Sequence, residues 1–354
     1  MTGALLFAAH DMGGGRVLLP IIDACRAGGY RTAVVARGPA RDVLAPAGRD
    51  HTNDDMGRVM TRLRPLAVVS GTSATARLEH DLWDAARRMR VPSMAILDAS
   101  INLRQRFEVG QPDVICVVDE ASRLGILGGR WCSARVEVVG QPHLERIAAG
   151  RGPCRRLAGG EGRFVYMSEP IATAPGEAHP IGYDQFSVAQ TVLAALAGLG
   201  RVSLVIKPHP VEPVRRWRDW LSGAGPPTNV VLEVATADAL ALMAGAHGVI
   251  GLGSMALTEA ALAGIPTLAL QPGRRYCPNP RIDADPAIVV ITEPARVALA
   301  VRRFAKGAIT EAGAGSTVKR VTPRPFEGST ARVMTVIEDL VGAQSAAPAA
   351  EAGS

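Results

Sequence analysis

The sequence is short of aromatic residues, has no paired cysteines and contains no long apolar run. Aromatics make up 4% of its 354 residues while hydrophobic residues make up 47%. A globular core must therefore be built from Ala, Val, Leu and Ile rather than from large rings. The five cysteines (Cys25, Cys116, Cys132, Cys154 and Cys277) are odd in number, widely spaced and without a CxxC pair, so neither a disulfide framework nor a zinc site is indicated. No apolar run reaches the roughly 18 to 20 residues that cross a bilayer, and the N-terminus lacks the basic flank and cleavage pattern of a signal peptide. The expectation is a cytoplasmic protein without a transmembrane segment. The 39 Lys and Arg residues give a net charge of +6 and suit an anionic ligand, but no basic stripe interleaved with aromatics is present, so nucleic acid is not an expected partner. No carboxylate motif of the Asp-x-Asp type is arranged for a metal, and no metal site or cofactor is expected.

At 354 residues the chain fits two domains, and two domains imply a cleft. Short apolar runs at Ala4–Ala9, Arg31–Ala36, Leu66–Ser70, Ser93–Leu97 and Val114–Val118 read as strands. Val17–Arg26 and Glu79–Arg88 read as helices, with Gly13-Gly14-Gly15 as a turn before the first. The segment 148–162 is small, basic and glycine-rich and reads as a linker. The alternation then restarts, with strands at Arg163–Met167, Ser203–Ile206, Val230–Val234, Gly248–Ile250 and Thr267–Leu270. Helices are expected at Val188–Leu199, Ala237–Ala244 and Ala256–Ala263. Such alternation predicts two doubly wound α/β halves with parallel sheets. The domains are expected at 1–150 and 151–325, followed by a helix within 326–342 centred on Arg332–Leu340 and a disordered tail at 343–354.

In open parallel sheets, ligands bind beyond the carboxyl ends of the strands. Lys207-Pro-His-Pro210 stands at such an end, with prolines restricting the backbone around Lys207 and His209. A cation beside a hydrogen-bond donor suits a phosphate; a rigid surface loop is the plain alternative. The stretch Gly248 to Leu270 ends a strand, turns through Gly253, places Ser254 at a helix N-cap and Met255 at the first turn, and returns through Gly264. Its amides and helix dipole favour a phosphate or diphosphate. Glu259, expected near the exposed side of that helix, could accept hydrogen bonds from ribose hydroxyls, or be a solvated glutamate.

These two motifs together resemble the donor-binding domain of GT-B glycosyltransferases and their relatives. The relatives include UDP-N-acetylglucosamine 2-epimerases, sialyl- and Kdo-transferases with an HP motif, and CDP-glycerol glycerophosphotransferases. The resemblance implies a GT-B-like fold, two Rossmann-like domains facing a cleft, with the last helix crossing back to the first domain. It implies that His209 contacts donor phosphate, the Ser254 turn holds the phosphates and Glu259 contacts ribose. Ser168, Glu169 and Tyr183, in the first loop of the second domain, would lie on the donor side. The set of acidic and histidine residues that marks the 2-epimerases is not located in this sequence.

In the first half, His10 and Asp11 end the first strand, and by the same resemblance one of them would be the base that deprotonates an acceptor hydroxyl. The acceptor side would include Gly14 and Gly15, a hydroxyl-rich turn at Ser70, Thr72 and Ser73, and Asp98 with Asn102 and Arg104 beyond it. Asp119, Glu120 and His143 stand at further strand ends. The expected function is metal-independent transfer of a sugar from a UDP- or CMP-sugar to an acceptor of unspecified identity, by a protein that is free to form a homodimer. The alternatives are a sugar-nucleotide 2-epimerase, a CDP-linked phosphotransferase, and a non-catalytic nucleotide-sugar binding protein.

Overall fold

The computed structural model describes residues 3–47, 54–129, 131–150, 162–308 and 326–346. They form two compact units, one of residues up to Ala149 together with those from Phe326 on, the other running from Gly150 to Ala308. The segments 151–161 and 347–354, where most of the expected linker and tail fall, lie outside the described residues.

The first unit holds strands β1 (Ala4–Ala9), β2 (Arg31–Ala36), β3 (Ala67–Ser70), β4 (Ser93–Ile96), β5 (Val114–Val117) and β6 (Arg135–Val138). Its helices are α1 (Met12–Ala27), α2 (Ala40–Leu44), α3 (Met56–Leu63), α4 (Leu78–Arg88), α5 (Leu103–Phe107), α6 (Glu120–Gly128) and α7 (Pro142–Ala149). The second unit holds β7 (Gly162–Met167), β8 (Val202–Lys207), β9 (Val230–Val234), β10 (Gly248–Gly251), β11 (Thr267–Leu270) and β12 (Ile288–Ile291). Its helices are α8 (Gln185–Ala195), α9 (Val214–Gly223), α10 (Ala239–Ala244), α11 (Met255–Leu262), α12 (Pro280–Ala284) and α13 (Val297–Ala305). The last helix, α14 (Ser329–Ala346), belongs to the first unit.

Both sheets are parallel, with strand orders β2-β1-β3-β4-β5-β6 and β12-β11-β10-β7-β8-β9. The side-chain period of two along a strand feeds two cores. Leu5, Phe7 and Ala9 of β1 pack under α1 and α14, while Leu6 and Ala8 face Met56, Val59 and Leu82 of α3 and α4. In the second unit Phe164 and Tyr166 face Phe186, Trp217 and Phe304, and Val165 and Met167 face Leu242 and Leu257. Strands covered on both faces are apolar throughout, which is why β3, β4, β5, β10 and β11 read as unbroken runs.

Three expectations change. Gly13, Gly14 and Gly15 form no turn before the helix; they are the first turn of α1 itself. Gly14 packs against backbone, since a Cβ at Gly71 would lie 2.7 Å from its Cα, while a Cβ at Gly13 would run into the Asp98 carboxylate and one at Gly15 would crowd Ala40. Second, α14 runs on to Ala346, so the start of the expected tail is helical. Its Val333, Val336, Ile337 and Val341, spaced on one helical face, complete the core beside α1. Glu145 accepts from the amides of Gly328 (2.6 Å) and Thr330 (2.8 Å), fixing its N-terminus on the first unit. Third, α8 begins at Gln185 rather than Val188, because Asp184 caps the amides of Phe186 and Ser187. Among the described residues no helix is long and apolar enough to cross a membrane.

The glycine contact yields a stability test. Gly71→Ala must push α1 from β3 and should cost roughly 1 to 3 kcal/mol. Gly342→Ala, inside α14 with nothing near the added carbon, should gain about 0.5 to 1 kcal/mol. Urea midpoints of the two variants check this; a Gly71→Ala protein as stable as wild type contradicts the packing described.

Candidate functional site

An open sheet whose strand order reverses opens a crevice at the reversal, beyond the strand carboxyl ends. In the second unit the chain goes from β7 outward through β8 and β9, then resumes on the other side with β10, so the reversal lies between β7 and β10. Register sets Met167 level with Gly251 on one side and with Lys207 on the other. The loops carrying Ser168-Glu169, Lys207-Pro-His209 and Gly253-Ser254 are therefore neighbours.

Lys207 closes β8, and its Nζ donates to the carbonyl of Pro208 (3.1 Å). The backbone N–H of His209 donates to Glu212 Oε2 (2.7 Å), and the same buried carboxylate accepts from Gln185 Nε2 (3.1 Å) and Trp217 Nε1 (3.2 Å). The N–H of Val211 points at Nδ1 of His209 (3.4 Å), which assigns the ring proton to Nε2. Burial, with the Lys207 charge, pushes the imidazole below its ordinary range, against the pull of Glu212. His209 is thus a neutral donor through Nε2, and Lys207 is the cation of the pair. Glu212 was missed from sequence, although a glutamate three residues after a strand-end histidine has the spacing of a side chain reaching back to a backbone amide.

Across the reversal, the Gly253 N–H donates to Glu169 Oε2 (2.9 Å). Gln271 Nε2 holds the Leu252 carbonyl (2.8 Å) and Asn279 Nδ2 the Gly253 carbonyl (2.9 Å). Burial raises the Glu169 carboxyl, with Glu212 adding to it and the Gly253 amide working against it. Ser254 is the N-cap of α11 but makes no capping bond through its side chain. The hydroxyls of Ser254, Thr258, Ser168 and Tyr183 are buried without a hydrogen-bond partner among the described residues. Buried polar groups are normally paired, so these hydroxyls mark a place suited to a polar ligand. Met255 opens α11, and Glu259 corrects the expectation of exposure: it is 5% exposed. The helix MALTEAAL packs its Leu257, Ala260 and Ala261 into the core and presents no wide wet face.

In the first unit the reversal lies between β1 and β3. His10 and Asp11 follow β1, and Asp11 Oδ1 sits 2.7 Å from His10 Nδ1, with side chains 30% and 35% exposed. This orients the imidazole so that Nε2 is the free basic atom. Gly38, at φ +48, lies against that atom; a Cβ there would come 2.5 Å from it. The backbone N–H of His10 donates to Glu79 Oε1 (2.8 Å), while Glu79 Oε2 has no partner among the described residues. Burial raises the Glu79 carboxyl to about 7. No sequence signal isolates Glu79, because only tertiary packing turns this face of α4 inward.

The other expected acceptor residues are engaged inside the unit. Ser70 accepts from Trp83 Nε1 (2.9 Å), and Ser73 Oγ from the amides of Thr75 (3.2 Å) and Ala76 (3.0 Å). Asp98 pairs with buried Arg106 (2.6 Å), which also reaches Thr72 Oγ1 (2.5 Å). Gly14 and Gly15 are buried in α1. Asn102 precedes α5 at φ 55, Arg104 pairs with Glu108 (2.6 Å), Asp119 caps α6 and Glu120 pairs with Arg123 (2.5 Å). His143 is buried in α7. Among the described residues no cluster of His, Cys, Asp and Glu could hold a metal. In the Asp283-Ala284-Asp285 triplet, Asp283 is gripped by Arg274 (2.7 Å) and Asp285 accepts from the Ala287 amide (2.9 Å).

No family model matches the chain, and no curated protein matches it by sequence. Solved structures do match. S. aureus MnaA, solved with UDP, superimposes with a TM-score of 0.67 at 12% identity over 96% of this chain and 97% of that one. The UDP-GlcNAc 2-epimerase of Neisseria meningitidis, bound to UDP-GlcNAc, gives 0.62 at 14% identity over 95% and 100%. Anabaena HepE, in complex with UDP-glucose, gives 0.53 at 13% identity over 97% and 99%. The chain has the GT-B fold. A pocket of about 530 Å³ lies in the helix layer of the second unit, lined by Phe186, Gln190, Trp220 and Arg302. It stands away from the strand carboxyl ends where open parallel sheets bind ligands, and the strand-end loops are the better candidate.

Glu79 supplies a pH test. Its folded value, about 7, lies above the ordinary 4.5, so the native state holds the extra proton between those values and stability falls as pH rises through that window. The span corresponds to roughly 3 kcal/mol. Glu79→Gln keeps an acceptor for the His10 amide and should flatten the profile. Urea unfolding at pH 5 and pH 8 checks this; equal pH dependence in both proteins contradicts it.

Proposed function

We propose that this chain is a GT-B glycosyltransferase that takes a sugar from a UDP-sugar and passes it to an acceptor hydroxyl. The observation that carries the reading is the β7–β10 reversal, where Lys207, the His209 Nε2–H, the Gly253-Ser254 turn and unpaired hydroxyls converge on strand ends. A cation, neutral donors and a helix N-terminus together are what a diphosphate needs. The solved neighbours that carry UDP or UDP-sugars support the choice of nucleotide.

In this reading the acceptor oxygen attacks the anomeric carbon, the bond from that carbon to the UDP oxygen breaks, and its electron pair leaves with UDP. Lys207, His209 and the α11 N-terminus take up the charge that develops on the diphosphate, without invoking a metal. The acceptor proton passes to His10 Nε2, with Asp11 holding the ring and stabilising the imidazolium. Glu259 and Met255 belong to the same helix and serve the donor side. A second reading, a UDP-sugar 2-epimerase, is favoured by the higher structural similarity to the Neisseria meningitidis UDP-GlcNAc 2-epimerase than to HepE.

Two experiments test the assignment. His209→Ala should weaken UDP binding by roughly 10- to 150-fold, the equivalent of one charge-assisted hydrogen bond of about 1.5 to 3 kcal/mol. Unchanged affinity in calorimetry would remove His209 from the site. His10→Gln should leave UDP affinity intact and lower UDP-sugar turnover by about 100- to 10,000-fold; full turnover would place the base elsewhere. Incubation of wild type with UDP-GlcNAc separates the readings. Acceptor-dependent release of UDP marks a transferase, a C2 epimer without acceptor marks an epimerase, and binding without either product marks a non-catalytic protein.

A further inference from the structure

Resting on the UDP reading of the second unit, we propose that the Glu169 carboxylate is an internal placeholder for donor phosphate, holding the Gly253 amide and giving it up to an incoming phosphate oxygen. The register sets Ser168-Glu169 beside Leu252-Gly253 across the reversal, and Glu169 Oε2 takes the Gly253 N–H at 2.9 Å. That amide immediately precedes the N-cap of the eight-residue helix α11, where the dipole favours an anion. The place is built for more than a carboxylate, because Ser168, the residue before Glu169, and Thr258, one turn on from Ser254 in α11, are 3% and 1% exposed and keep hydroxyls without partners among the described residues. Gly253 packs closely here: a Cβ on it would crowd Pro278 Cγ at 3.0 Å and touch Glu169 Oε2 at 3.4 Å.

The groups facing Glu169 are Glu212 from the loop after β8, Tyr183 from the segment before α8, Tyr166 from β7, and the Gly253 amide. Arg274, Tyr276 and Cys277 face Tyr183 in turn. Burial and Glu212 already raise this carboxyl. A phosphate arriving at the same amide adds a second negative neighbour, so the carboxylate takes up a proton as it is displaced. Glu169 then opposes nucleotide binding, in contrast to the supporting role expected from sequence.

The test is a calorimetric titration of wild type and Glu169→Gln with UDP at pH 7, each in PIPES and in Tris, whose ionisation enthalpies differ. Gln retains an acceptor for Gly253. The proposal expects Glu169→Gln to bind UDP at least about tenfold more tightly, a charge-assisted hydrogen bond at the low end of its range. It also expects a proton taken up with UDP in wild type and not in the variant. Equal or weaker binding by Glu169→Gln, or uptake that persists in it, overturns the proposal while leaving the UDP reading intact. Wild type alone showing no proton uptake overturns it even if the variant fails to fold. UDP binding to neither protein sinks the UDP reading and this inference with it.

Discussion

A glutamate accepting a backbone N–H is the contact on which the candidate functional loops of this protein depend, with Glu79 and Glu212 buried and Glu169 half-buried. Glu79 holds the amide of His10 at 2.8 Å, Glu212 that of His209 at 2.7 Å, and Glu169 that of Gly253 at 2.9 Å. Each amide belongs to a residue just past a strand end, where no sheet partner is left to receive it. A buried amide without a partner costs about 1 to 3 kcal/mol, and each carboxylate removes that cost while fixing the loop from beneath. The His10 ring is thereby left to pair with the Asp11 side chain, and the His209 ring spends only Nδ1 on the backbone, at the Val211 N–H, leaving Nε2 outside the fold's own bonding. The same device makes the loops electrically sensitive, since Glu79 and Glu169 are raised by burial.

Much of the architecture could be read in the sequence because parallel strands covered on both faces must be continuously apolar. The runs at Ala4–Ala9 and Thr267–Leu270 are strands to the residue, and so are the edge strands Arg31–Ala36 and Val230–Val234, whose β-branched residues outweigh a single charge in each. What was hard to read is local and polar. The edge strand β6, Arg135-Val-Glu-Val138, carries charge because it is half exposed, and β12 lies in a stretch crowded by prolines. The helix α9 has an amphipathic pattern anchored by Trp217, but its arginines read more readily as surface charge. The triple glycine looks like a turn until Gly71 is known to press against it.

The candidate site was legible in its motifs, and Glu169 was placed on the donor side with them, but the backbone contacts that support these loops were not. Lys207, His209, Gly253 and Ser254 announce themselves through proline, glycine and capping chemistry. Glu79, Glu169 and Glu212 act through contacts 69, 84 and 3 residues away in sequence, and only the last has a spacing that a reader of the sequence can use. Glu259 shows the reverse case, a carboxylate expected on a wet face but buried by a helix that is apolar nearly all round. Ser70, Ser73 and Asp98 stand at strand ends as expected, yet their polar atoms are committed to Trp83, the 75–76 amides and Arg106.

The central claim is that the β7–β10 reversal receives the nucleotide, and backbone amide chemical shifts during a UDP titration of labelled protein read that place directly. The account predicts the largest shifts at Gly253, Ser254 and His209, with Phe186, Gln190 and Trp220 of the helix-layer pocket little changed. Shifts concentrated at Phe186, Gln190 and Trp220, with the Gly253 and Ser254 amides unmoved, would contradict it.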